Sequence, residues 1–140
     1  MIEILIITHG KFGKELIRSA ELIVGKQEQI YSFGLEHGDD VSELASTVCD
    51  YISQKTSQGK ELIVFTDIFG GSPSNIAIQN LKKLNFYYIT GVNLPMLIEA
   101  LIARLEKDIT AEQLTERCTE VAKEGIRNIS IDSLNGRQCK

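Results

Sequence analysis

The sequence predicts an α/β protein: a three-layer, doubly wound sandwich around a mostly parallel sheet. Two observations carry that expectation. Short apolar runs alternate with longer stretches of helical period, the pattern of a sheet covered on both faces. A chain of 140 residues, 43% of them apolar, also suffices for one continuous core but hardly for two.

The first run, IEILII (2–7), reads as a strand that ends in Thr8, His9 and Gly10. Phe12, Leu16, Ala20, Ile23 and Val24 then share one helical face, and Gly25 supplies the stop. The second strand is QIYSF (29–33). A helix marked by Val41, Leu44, Ala45, Val48 and Ile52 follows it, with Asp39 or Asp40 as N-cap. ELIVFT (61–66) is the third strand, and after Pro73 a shorter helix carries Ile76, Ala77 and Leu81. The fourth strand, FYYIT (86–90), leads to a helix with Leu97, Ile98, Leu101, Ile102 and Leu105. Thr110 with Gln113 reads as a capping box for a fifth helix, whose Leu114, Cys118 and Val121 lead to Gly125. The run IRNISID (126–132) alternates as an edge strand does, and SLNGRQCK (133–140) reads as a short exposed tail. One domain, 1–132, is expected, with no linker or repeat inside it.

Composition excludes several classes of function. A formal charge of −4 with no basic block argues against nucleic acid. No apolar run reaches bilayer length, and residues 1–7 lack the basic start and cleavage pattern of a signal peptide, so a cytoplasmic location is expected. Cys49, Cys118 and Cys139 are odd in number, far apart and without a CxxC pair, which speaks against zinc and against a disulfide framework.

Right-handed βαβ connections open every strand-to-helix loop on one edge of a sheet. Four loops meet there: residues 8–10, GLEHGDD (34–40), DIFGGSPSN (67–75) and GVNLPM (91–96). If the strand order is 2-1-3-4, strands one and three are neighbours whose helices leave to opposite faces, and a crevice opens between their loops. His9 and Asp67 face each other across it.

Those residue types suit one chemistry. An imidazole is largely neutral at pH 7, so one ring nitrogen keeps a free lone pair. A carboxylate on the other nitrogen fixes the tautomer and supports the positive charge that appears when the ring is phosphorylated. Taken singly, His9 is equally a strand end and Asp67 a helix cap. The segment FGGSPSN shifts that balance. Its two glycines, with Ser72 expected at the N-cap and Pro73 at the first helical position, present unpaired N–H groups at the positive end of a helix dipole. A nucleophile, an orienting carboxylate and an anion cradle at one switch point suggest phosphoryl chemistry on His9. No GxGxxG follows the first strand and no GxxxxGK[ST] occurs, so a P-loop nucleotide is not the expected donor. Alignment and charge stabilisation suffice when donor and acceptor are histidines, so neither cofactor nor metal is called for. A rival from a different class is a non-catalytic module that holds an anion in the same crevice.

Three segments, IITHGKFGKELIRSAELIVG (6–25), LIVFTDIFGGSPSNIA (62–77) and TGVNLPMLIEAL (90–101), resemble in order and separation a known family. It is the enzyme IIA domain of the mannose/fructose/sorbose class of the bacterial phosphoenolpyruvate-dependent sugar phosphotransferase system. The resemblance extends to about residue 132. It implies that His9 is the phosphorylated histidine, loaded by the carrier protein HPr and unloaded by an enzyme IIB subunit that serves membrane IIC and IID components in sugar uptake. It implies that Asp67 bonds the His9 ring, that Gly70, Gly71 and Ser72 surround the phosphoryl group, and that GVNLPM forms a wall of the site. It implies a homodimer whose last strand, residues 126–132, runs antiparallel and is exchanged between subunits. No IIB segment follows residue 132, so a separate IIB partner is expected. Phe69 stands where some relatives have Trp, and GLEHGDD, with His37, departs from the family's acidic, Pro-containing loop. A related branch delivers phosphate to dihydroxyacetone kinase, but FTDIFGGSPSN and GVNLPM favour the sugar branch.

Overall fold

The computed structural model describes residues 1–136. Four strands and six helices follow one another as β1 (Glu3–His9), α1 (Phe12–Val24), β2 (Ile30–Leu35), α2 (Val41–Ser57), β3 (Leu62–Thr66), α3 (Ser72–Leu81), β4 (Tyr87–Thr90), α4 (Leu94–Ala103), α5 (Ala111–Glu124) and α6 (Ile131–Gly136). All strand pairs are parallel, and the order is β2-β1-β3-β4, as expected. β1 and β3 are buried along almost their whole length because both sheet faces are covered. Ile4, Ile6, Ile63 and Phe65 pack against α1, α4 and α5, while Leu5, Ile7, Leu62 and Val64 pack against α2 and α3. The helices after β1 and β3 therefore leave to opposite faces, which creates the switch point at the carboxyl edge.

Local chemistry sets the helix ends. Asp40 caps α2 by accepting from the Ser42 and Glu43 N–H groups, a contact of about 1 kcal/mol. Thr110 and Gln113 form the reciprocal capping box on α5. Asn93 caps α4 by accepting from the Met96 N–H. At the opposite edge of the sheet, the buried Arg104 guanidinium donates to the carbonyls of Ile2, Glu28 and Gln29, which fastens the starts of β1 and β2 to the end of α4.

Three expectations need correction. Residues 126–132 form no antiparallel strand, and no exchanged strand is seen: 126–130 are irregular and α6 begins at Ile131. The reason lies in Ser130 and Ser133. Each hydroxyl accepts from the other residue's N–H, at 3.2 and 3.0 Å, so the segment closes as a helical turn instead of extending. In α1, the inward positions are Gly13, Leu16 and Ala20, whereas Phe12 and Ile23 face solvent. Helix α3 begins one residue earlier than expected: Gly71 is its N-cap and Ser72 its first residue. Cys118 is fully buried in α5, where loss of solvation lifts its thiol to about 12, and Cys49 is half-buried. Cys139 lies outside the described residues.

One close approach constrains the site's neighbourhood. A Cβ at Gly34 would overlap the carbonyl of Gly10, the residue after His9. Because that neighbour is backbone, Gly34→Ala is expected to cost about 1–3 kcal/mol, typical of overpacking. An unchanged thermal midpoint would show that the 8–10 turn yields freely.

Candidate active site

β1 carries its run of buried residues through Thr8 and then delivers His9 to the surface. Two contacts fix where the turn falls. Buried Thr8 accepts from the Gly13 N–H at 2.9 Å, which ties the strand end to α1. The Gly10 N–H donates to the Leu35 carbonyl at 2.8 Å, extending the β1–β2 ladder one step past His9. Gly10 has φ +56, so the chain can reverse there without a Cβ penalty.

Asp67 follows Thr66, the last residue of β3, and meets His9 as expected. Its Oδ2 accepts from the His9 N–H at 2.8 Å and lies 2.8 Å from His9 Nδ1. Its Oδ1 accepts from the Ile68 N–H at 2.9 Å. Burial alone would raise the pKa of this carboxyl. The hydrogen bonds from His9 and Ile68 outweigh burial and hold it below the ordinary carboxylate value. Asp67 is therefore an acceptor only, so the proton between the two side chains sits on Nδ1. In the neutral imidazole, the lone pair is then on Nε2. The His9 side chain is 49% exposed and that of Asp67 13%, so a sheltered carboxylate holds an accessible ring.

The glycine loop completes the arrangement. Gly70 and Gly71 have φ +85 and +84, a conformation L side chains rarely adopt. A Cβ on Gly71 would stand 3.3 Å from His9 Cε1 and 3.6 Å from Nε2. Glycine at this position keeps the space beside Nε2 clear. The first helical bond of α3 runs from the Asn75 N–H to the Gly71 carbonyl. Earlier N–H groups of that turn lie at the positive end of the helix. Half-buried Ser72 opens the helix, and Pro73 contributes no donor.

Other residues named from the sequence stand apart from the His9–Asp67 contact. His37 is exposed in the β2–α2 turn. In GVNLPM, the Val92 N–H donates to the Thr66 carbonyl at 3.0 Å and Asn93 Nδ2 to the Ala122 carbonyl at 3.3 Å, which brace β3 and α5. Ile68 and Phe69, 59% and 77% exposed, present apolar surface on the loop that carries Asp67, and half-exposed Phe12 does so at the first residue of α1. A cavity of about 420 Å³ lies at the far edge, lined by Ile2, Gln29, Lys60 and Arg104, away from these loops. Among the described residues, no group of three or more His, Cys, Asp or Glu side chains is placed to hold a metal ion.

Sequence reasoning missed a chain of hydroxyls behind the loop. Tyr88 donates to Ser74 Oγ at 2.9 Å and lies 2.6 Å from Thr66 Oγ1, which is in turn 3.1 Å from Thr90 Oγ1. The available signal was Thr66 itself, a polar residue ending an otherwise apolar strand.

The fold and site define a class: a small doubly wound α/β protein with a histidine–aspartate pair at its switch point, beside a glycine-opened helix. Residues 3–119 match the family model described as EIIA-man, PTS system fructose IIA component. The chain belongs to this family, the EIIA components of the mannose/fructose/sorbose class of the phosphotransferase system. It is 32% identical over 127 residues to the mannose-specific EIIAB component of Escherichia coli K12, covering 90% of this chain. The match covers only 39% of that relative's length. The fructose-specific EIIA component of Bacillus subtilis is 24% identical, with 99% of this chain and 98% of that one covered. Among solved structures, a phosphotransferase system component EIIA from Streptococcus agalactiae superposes with TM-score 0.80 at 27% identity, covering 91% of this chain and 97% of that one. The mannose/sorbose-specific IIA subunit of Enterococcus faecalis, 21% identical, shares the fold with TM-score 0.81 over 93% of this chain and 96% of its own.

Proposed function

We propose that the protein is a phosphocarrier that accepts a phosphoryl group from phospho-HPr on His9 Nε2 and passes it to an enzyme IIB partner during sugar uptake. The observation that carries this reading is the His9–Asp67 pair: Asp67 keeps the proton on Nδ1, and the free Nε2 faces the cleared space at Gly71. In the transfer, the Nε2 lone pair attacks phosphorus in line. The new N–P bond forms as the donor's N–P bond breaks, and the donor imidazole leaves with the bonding pair. The ring of His9 becomes positive, and the Asp67 carboxylate offsets that charge. Gly70, Gly71 and Ser72 surround the phosphoryl oxygens, with N–H groups at the start of α3 supplying positive potential. One phosphohistidine replaces another, so the step is nearly level in free energy and calls for alignment more than for a strong catalyst. The exposed Phe12, Ile68 and Phe69 offer apolar surface for a docking protein. The work is cytoplasmic, with membrane IIC and IID components reached through IIB.

The test is intact-mass analysis after incubation with phosphoenolpyruvate, enzyme I and HPr. One acid-labile phosphoryl adduct per chain is expected. Reversible phosphate binding without a covalent adduct would instead identify an anion-binding module.

The working form is a homodimer. Ile126, Ile129, Ile131 and Leu134 stand exposed beyond α5, and β4 is an open sheet edge among the described residues. Light scattering is expected to give twice the mass of one chain, with deletion of 126–140 giving the monomer. A full-length monomer at micromolar concentration would rule this out.

A further inference from the structure

We infer that Tyr88 is a positioning residue for phosphoryl transfer, its hydroxyl setting the 67–73 loop against the His9 ring. The inference depends on the reading of His9 above.

The loop is held chiefly at its two ends. Thr66 precedes Asp67, and Ser74 lies in the first turn of α3, just past Gly70, Gly71 and Ser72. Both hydroxyl residues are completely buried. Tyr88, from the neighbouring strand β4, reaches both: it donates to Ser74 and stands 2.6 Å from Thr66 Oγ1. Tyr88 gives its proton to Ser74, and Thr66, which donates to Thr90, lies within hydrogen-bond distance of the Tyr88 oxygen. A single rigid side chain thus spans the point where the chain leaves β3 and the point where it enters α3.

Between those ends, anchoring is sparse. Asp67 bonds His9 and Ile68, while Ile68 and Phe69 project into solvent. The spacing of the Asp67 carboxylate from the N-terminus of α3 is therefore set where Tyr88 bridges it. The carboxylate orients the ring, and the helix end receives the phosphoryl oxygens, so a change in that spacing misplaces one against the other. Displacement of about 1 Å at a reacting centre costs as much as about 100-fold in rate. Tyr88 touches neither ring nor phosphoryl group, so its effect is confined to alignment. Removing its hydroxyl while keeping the aromatic ring preserves packing against the buried cluster of the α2–α3 layer, which includes Val64, Ile76 and Ala77.

The experiment is single-turnover transfer from phospho-HPr to the full-length chain. Rate at saturating donor and half-saturating concentration are measured separately, with thermal midpoints alongside. Tyr88→Phe and Ser74→Ala are each expected to lower the saturated rate about tenfold, a part of the misalignment penalty, with half-saturation unchanged. The double variant is expected to be no slower than Tyr88→Phe, because both changes cut the same bridge. A wild-type saturated rate in Tyr88→Phe overturns the inference, even where its midpoint falls. So do an effect confined to half-saturation and additive losses in the double variant. If Tyr88→Phe does not fold, the same split in Ser74→Ala decides. Failure to phosphorylate the wild-type chain would sink the reading of His9 and this inference together, whereas a labelled wild type with an unaffected Tyr88→Phe sinks the inference alone.

Discussion

Replacing His9 with alanine is expected to abolish the acid-labile adduct in the enzyme I–HPr relay while leaving the fold intact. Loss should be complete, because the phosphorus must bond to an atom that the variant lacks. The cost in stability should be small, since the ring is half exposed and the backbone N–H of residue 9 still donates to Asp67. His9→Asn sharpens the result. Its amide can bond Asp67 yet supplies no comparable nucleophilic nitrogen, so it should be as inert as alanine. Persistent labelling of the alanine variant at wild-type rate would move the acceptor elsewhere. His37, exposed in the β2–α2 turn, would then be the next residue to replace.

Asp67→Ala is expected to give the second large effect, transfer slowed by about 10–100-fold, the range seen when a metal-bound imidazole loses its outer hydrogen-bond partner. Labelling is still expected to reach completion, because the proposed acceptor remains. Asp67→Asn should be at least as slow. An amide that donates to Nδ1 would put the ring proton on Nε2 and withdraw the lone pair from the loop. Full-speed transfer in both variants would remove Asp67 from the mechanism. The same carboxylate predicts a pH effect. Its native pKa lies below the unfolded value, so its stabilisation is complete above the ordinary carboxylate value of about 3.9 and is lost as pH falls through the lower native value. Denaturant midpoints of wild type and Asp67→Ala should differ by a constant amount above about pH 5 and converge below about pH 4. A gap that instead widened with acid would contradict the depressed pKa.

How far the sequence discloses this structure depends on the range of the interactions involved. Strands β1 and β3 are readable because they are buried on both faces, and His9 and Asp67 stand out as polar residues just past apolar runs. The capping pair Thr110 and Gln113 is readable because three residues of spacing contain the whole interaction. The same logic applies at Ser130 and Ser133, but the alternation of apolar Ile129 and Ile131 with Asn128, Ser130 and Asp132 outweighs it and suggests a strand. Helical period marks Phe12 and Ile23 as inward in α1, but it is Gly13 that presses against Ile6 and Thr8: a Cβ there would lie 3.1 Å from Ile6. Helical period marks apolar residues and passes over a glycine that makes close approach possible. The Tyr88 bridge was beyond reach for a different reason. It joins hydroxyls 14 and 22 residues away in sequence, and only the β3–β4 pairing brings them together.

The single oxygen Oδ2 receives both the main-chain and the ring hydrogen of His9. This double tether discourages the ring from swivelling, so a group carried on it, as proposed, would be offered in one direction. Two callers that need the same doorway must come in succession. On the proposed reading, donor and recipient are expected to take turns at His9, and an excess of the unloaded donor is expected to compete with delivery to the recipient.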